Sequence, residues 1–170
     1  MKKDTIADSC IETIAVDPES QKHVVSLHMI GEAIVKESAA FNSGVMSEKI
    51  DALIAGHKQD SSTTCCYFAC DQTNIETPIG AIAGFIQESW FDGGVSLNDF
   101  FLWVHPDWRK TNAASKLIET YEKFGHDAGV NQINLGISTG LRQRALGRFY
   151  EYSGYTLSAT QYSKEINNVL

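Results

Sequence analysis

The stretch that most constrains this fold lies between residues 96 and 138. "SLNDFFLWV" reads as an apolar strand and "HPDWRKTNAAS" as a join. An amphipathic helix over residues 112–128 then stops at Gly129, before a second strand in "NQINLGIS". A strand, a helix and a strand in that order demand a parallel crossover, because a tight turn can only join antiparallel neighbours. The run just before it asks for the opposite. Asp92-Gly93-Gly94, between "IGAIAGFIQESW" and "SLNDFFLWV", is a hairpin signal. One sheet must therefore hold antiparallel pairs and one parallel pair.

The remaining elements fill out that sheet. A short strand is expected near residues 10–16. Asp17-Pro18 reads as an N-cap with proline at the first helical position, opening a helix over residues 18–40 with Val24, Leu27, Ile34 and Val35 on one face. "MSEKIDALIAG" repeats the helical spacing through Met46, Ile50, Leu53 and Ile54 and is expected to end at Gly56. "TTCCYFAC" reads as a strand, "LRQRALGRFYEYSG" as a helix closing at Gly154, and "YTLSATQYSKEI" as one or two final strands. The order β, α, α, β, β, β, α, β, α, β predicts an α/β (α+β) mixed sheet, mostly antiparallel, with helices on both faces. If the parallel pair splays, a crevice opens at the start of the helix near residue 112. No linker or internal repeat divides the 170 residues, which suffice for one domain over 1–170 with its own core.

Composition narrows the function. The formal net charge of −7 opposes a surface that wraps nucleic acid, and a cationic substrate is easier to accommodate. Arg109, Lys110, Arg142, Arg144 and Arg148 nonetheless concentrate in the last third. The MKK start leads into Asp4, Asp8 and Glu12 rather than an apolar run, so no secretory signal or membrane span is expected and the chain reads as cytoplasmic. Cys10, Cys65, Cys66 and Cys70 lack ligand spacing, and the five histidines are scattered, so no metal site is expected. On a strand, Cys66 and Cys70 share a face and Cys65 points the other way, as buried free thiols.

The join after "FFLWV" is where chemistry gathers. Arg109 and Lys110 precede Thr111, Asn112, Ala113, Ala114 and Ser115, a small or polar run without glycine that opens a helix. Free N–H groups and the positive dipole end of a helix attract anions, so phosphate is the expected ligand.

The element order and these residues resemble the GNAT superfamily of N-acetyltransferases. Arg109-Lys110-Thr111-Asn112-Ala113-Ala114 is similar to the family's Q/R-x-x-G-x-G/A motif at Arg109 and Ala114. Asn112 stands where glycine is usual, and asparagine enters left-handed backbone conformations readily. "ALGRFYEYSGY" resembles the family's A-x-x-x-(L/F)-Y-E-x-x-G-(F/Y) stretch through Ala145, Phe149, Tyr150, Glu151, Gly154 and Tyr155. The resemblance implies acetyl-CoA as cosubstrate. Its pyrophosphate would lie on the amides of residues 110–115, and its pantetheine arm along the backbone of Leu102, Trp103 and Val104. Arg142, where many members carry asparagine, would be a further contact. Tyr150 is then the acid that protonates the departing thiolate, unless it is only a core aromatic.

The base is open between Asp99 and Glu88, with water as the remaining choice. Counting back from Val104, the position often held by a family glutamate falls near Asn98. Asp99 would then face the wrong way unless a bulge intervenes. The implied activity is direct attack of a primary amine, on a small molecule or a protein, upon acetyl-CoA in a ternary complex. A catalytically weak CoA-binding or regulatory module is the alternative, and a nucleic-acid-directed acyltransferase is disfavoured by charge. A homodimer is left open. Glu32, Glu37 and Glu48 read as solvated helix-face charges.

Overall fold

The structure is a computed structural model that describes residues 10–38, 43–90, 92–137 and 143–159. Five strands form one sheet in chain order: β1 (Ile11–Ala15), β2 (Thr64–Asp71), β3 (Asn74–Glu88), β4 (Val95–Val104) and β5 (Gln132–Asn134). The pairs β1–β2, β2–β3 and β3–β4 are antiparallel, and β4–β5 is parallel. The expected mixed sheet, hairpin and crossover are all present.

The described residues hold four α-helices: α1 (Gln21–Glu37), α2 (Ser43–Gln59), α3 (Ala113–Asp127) and α4 (Gln143–Tyr152). α1 starts three residues after the proline, because Ser20 is the cap and its hydroxyl accepts from the His23 amide. Asp17 caps the preceding turn instead, accepting from the Glu19 amide at 2.9 Å. α2 does not stop at Gly56. The Gly56 carbonyl still accepts from the Asp60 amide, and Asp60 ends the helix by turning its carboxylate to Ser62 and Thr63. α3 does stop as expected, with Gly129 at φ +70. The final strands expected over residues 155–166 fall mostly outside the described residues, and 155–159 hold no regular element.

The alternation of β2 divides the interior into two layers. Cys66, Phe68 and Cys70 pack with Leu27, Ile34 and Ile50 of α1 and α2. Cys65 and Ala69 pack with Leu117 and Tyr121 of α3. The cysteine faces are as the strand period predicts, and the three thiols are buried and free. Burial pushes Cys65 up to about 12 and Cys70 to about 11, which leaves them protonated and poorly nucleophilic. Among the described residues no histidine, cysteine or carboxylate cluster could hold a metal, and no helix is long and apolar enough to cross a membrane.

Two irregularities in β4 position the site. Pairing with β5 covers only Ser96–Gln132, Leu97–Ile133 and Asn98–Asn134, after which the strands part. From Asp99 to Val104 that edge of β4 has no strand partner among the described residues. On its other edge Gly84 pairs with Asp99 but Ala83 pairs with Phe101, so Phe100 is an extra residue in a β-bulge.

Candidate active site

The bulge decides which way Asp99 faces. Leu102 and Val104 pack in the α3 layer, whereas Phe101 and Trp103 pack in the α1–α2 layer. Strict alternation would send residue 99 to the α1–α2 side. The extra residue at Phe100 brings it to the α3 side with Leu97, the condition under which Asp99 can occupy the position counted to Asn98. Asp99 Oδ1 accepts from the Gly136 amide at 2.7 Å, just where β5 has peeled away. Burial raises the carboxyl pKa to about 6, against the lowering effect of that amide.

Tyr150 comes to the same glycine. It is buried on α4, and its hydroxyl donates to the Gly136 carbonyl at 3.5 Å. Burial, then the neighbouring Asp99 charge, raises its pKa, so it remains a protonated donor across the physiological range. Asp99 and Tyr150 thus approach the two ends of one glycine, at the mouth of the splay. Glu88 does not join them. It is exposed at the β3–β4 hairpin and pairs with Val95, four positions before Asp99 on β4.

The turn after the other end of β4 is where the anion site is expected. Pro106–Trp108 form a single 3-10 turn. Thr111 donates to the Trp108 carbonyl at 2.7 Å and accepts from the Ala113 amide at 3.3 Å, so this hydroxyl caps α3. Asn112 has φ −83 and ψ 10, not a left-handed conformation. The position therefore tolerates asparagine because its backbone needs no positive φ, rather than through asparagine's readiness to adopt one. Ala113 is fully buried against the sheet, so its methyl faces the core and not a ligand. The amides of Asn112, Ala114 and Ser115 have no intramolecular acceptor among the described residues, and Lys110 is exposed there without an ion pair.

Arg109 is differently employed from the expectation of a phosphate contact. Its Nε donates to the Val104 carbonyl at 2.8 Å, and its Nη2 reaches both Glu37 oxygens at 2.8 and 2.6 Å. Glu37 also accepts from Trp103 Nε1 at 3.0 Å. Glu37 is a solvated charge in the sequence reading. Its side chain is instead only 25% exposed, and it ties the end of α1 to β4 and the turn. Glu32 and Glu48 are exposed, as expected. A partly buried tryptophan on β4 needs a partner for its N–H, which is the one sequence clue to such an acid. Arg142 lies outside the described residues.

The sequence profile of the acetyltransferase (GNAT) domain matches residues 62–157. No curated protein matches the chain. Among solved structures, an acetyltransferase of Trypanosoma brucei is similar at TM-score 0.63 and 16% identity, covering 92% of this chain and 99% of that one. Glucosamine-6-phosphate N-acetyltransferase from Arabidopsis thaliana is similar at TM-score 0.68 and 13% identity, with coverage of 92% and 99%. AAC(6')-Iy, in complex with the bisubstrate analog CoA-S-monomethyl-acetylneamine, is similar at TM-score 0.69 and 12% identity, with coverage of 93% and 100%. At these identities the likeness shows a shared fold.

Proposed function

The chain belongs to the acetyltransferase (GNAT) family, and on that premise we propose that it moves an acetyl group from acetyl-CoA to a primary amine by direct attack in a ternary complex. The observation that carries this reading is the meeting of Asp99 and Tyr150 on Gly136, where β4 and β5 part. A carboxylate and a phenol held at one opening can take one proton and give another.

The residues fit the cosubstrate. The unpaired amides of Asn112, Ala114 and Ser115, with Lys110, suit a pyrophosphate. The open edge of β4 at Leu102 offers backbone groups to a pantetheine arm in the way a strand would. The Val104 carbonyl is already occupied by Arg109 and the backbone groups of Trp103 face β3, so that arm relies on Leu102. Acetyl-CoA supplies an activated acetyl thioester and a thiol leaving group. Asp99, ionised above about pH 6, accepts the proton that an ammonium must lose before its nitrogen can attack. Tyr150 donates to the departing sulfur. A β4 backbone N–H near the bulge polarises the thioester oxygen.

The acceptor class is a small-molecule amine or a protein amine, and the acidic surface disfavours nucleic acid. Two of these neighbours, one named for glucosamine 6-phosphate and one bound to CoA-S-monomethyl-acetylneamine, set the first test panel. Release of CoA thiol is followed with glucosamine 6-phosphate, an aminoglycoside and an N-terminal peptide as acceptors. Turnover with any of them is the expected result. Failure of acetyl-CoA to bind in calorimetry would overturn the reading, and binding without turnover on any amine would favour a CoA-binding module.

A further inference from the structure

β5 is three residues long, and β4 is its strand partner, so three parallel rungs are all the pairing that leads the chain to Gly136. A parallel pair so short frays from an open end unless side chains close it. An asparagine closes each end here. At the start, Asn131 Oδ1 accepts from the Val95 amide at 2.9 Å, and the Asn131 amide donates to the Val95 carbonyl at 2.7 Å. At the last rung, Asn134 Nδ2 donates to Asn98 Oδ1 at 3.0 Å. The Asn98 amide is aimed by its own strand, since its Nδ2 donates to the Ser96 hydroxyl at 3.0 Å and to the Ser96 carbonyl at 3.3 Å. Leu97 packs in the α3 layer, so Asn98 and the side chain it holds lie on the α1–α2 face. On the α3 face the middle rung closes over Gly125, where a Cβ would come within 2.9 Å of Ile133 and 3.2 Å of Leu97. β5 is therefore gripped from both faces.

We infer that Asn134 is a positioning residue for the reaction: its bond to Asn98 sets the point at which β4 and β5 part, and so holds Gly136, two residues on, between Asp99 and Tyr150. This rests on the roles proposed above for those two side chains. Gly136 donates to Asp99 at 2.7 Å and accepts from Tyr150 at 3.5 Å. Glycine has the freest backbone of any residue, so these two contacts persist only while the chain just before it is fixed. The Asn98–Asn134 bond is the last link from β5 to β4 before Gly136. Asn134 thus acts on the proton-transfer groups through Gly136, without touching the reacting atoms.

The test breaks the bond from each side, with Asn134→Ala, Asn98→Ala and the double variant in the full chain. Asn131→Ala opens the other end of β5 for comparison. Both members of the bond are only partly buried, so the chain should fold with alanine at either place. Hydrogen exchange at the Gly136 amide is followed by NMR, and kcat and KM for acetyl-CoA are measured with one acceptor amine. In Asn134→Ala and in Asn98→Ala, exchange at Gly136 is expected to quicken about tenfold and kcat to fall about tenfold, with KM little changed. The double variant should be no worse than either single one, and Asn131→Ala should leave both quantities near the parent's. Unchanged exchange at Gly136 in Asn134→Ala overturns the inference. So does an equal effect from Asn131→Ala, which would reduce the bond to general support of β5. Additive effects in the double variant, or quicker exchange in an active enzyme whose kcat stays put, overturn it as well. Exchange needs no turnover, so the expected quickening in a protein that acetylates no amine would keep the Asn134–Gly136 link and refute the acetyl-transfer reading instead.

Discussion

At one end of the splayed stretch of β4, Asn98 makes the last pairing with β5 and Asp99 sits beside a bulge; at the other, Val104 runs into a turn that Arg109 and Glu37 clasp. The first is half-buried, enough to raise the pKa of a carboxylate and a phenol. The second is half-exposed and offers unpaired amides and a lysine. Proton transfer needs the low dielectric and fixed distances of the first, whereas a multiply charged, hydrated ligand is better met by the second. Substitutions at the two ends should therefore separate kcat from KM.

The largest effect is expected from Tyr150→Phe, with kcat falling about 10²-fold. The 3.5 Å bond to Gly136 is long, so Tm should barely change and KM for acetyl-CoA should hold. A collapse of stability would make Tyr150 a core residue and blur the contrast. Asp99→Asn comes next, with a loss of about ten- to a hundredfold in kcat at neutral pH. It carries a signed stability effect as well. The folded pKa of about 6 lies above the ordinary carboxylate value of 3.8, so stability from Asp99 is complete below about pH 4 and is lost as pH rises through 6. The variant should melt above the parent at pH 8 and match it at pH 4, as calorimetric scans at the two values would show.

At the other end Ser115→Glu places a carboxylate among the free amides of α3. KM for acetyl-CoA should rise about tenfold with kcat little altered. Ala114→Glu should behave alike. Ala113→Glu would unfold the chain instead, since that methyl is buried. The smallest effect should come from Glu37→Gln, which keeps an acceptor for Trp103 and weakens the pull on Arg109. A stability loss of about 1 kcal/mol by urea titration, with a modest rise in KM, is expected. An unchanged KM would leave the clasp a purely structural contact.

The two ends also differ in how much of them the sequence discloses. The turn over residues 105–115 is local, so its proline, its small residues and the following helical period could be read directly. Even the hairpin at Gly93 and the stop at Gly129 follow from neighbouring residues. The facing of Asp99 depends on an extra residue in β4 whose signature is only its mismatch with β3, and period-two counting passes over it. Glu37 and Arg109 stand 72 residues apart in the chain. Nothing near Glu37 distinguishes it from Glu32, the exposed acid of the same helix, so only the tertiary contact shows it. Gly136 is legible as part of a strand, but that strand ends at Asn134, and it is the early ending that frees the Gly136 amide for Asp99 and its carbonyl for Tyr150. Ser20 and Asp60 shifted helix ends by a few residues because side-chain caps compete at close range.

The most direct test of the chemical end is the pH dependence of kcat for acetyl transfer in the parent and in Asp99→Asn, with one acceptor amine and saturating acetyl-CoA. The parent should show an acid limb with an apparent pKa near 6, set by the Asp99 carboxyl. In Asp99→Asn that limb should vanish and leave a low, flat rate. An unchanged limb in the variant would show that another group takes the proton and would contradict the assignment of catalysis to the splayed end of β4.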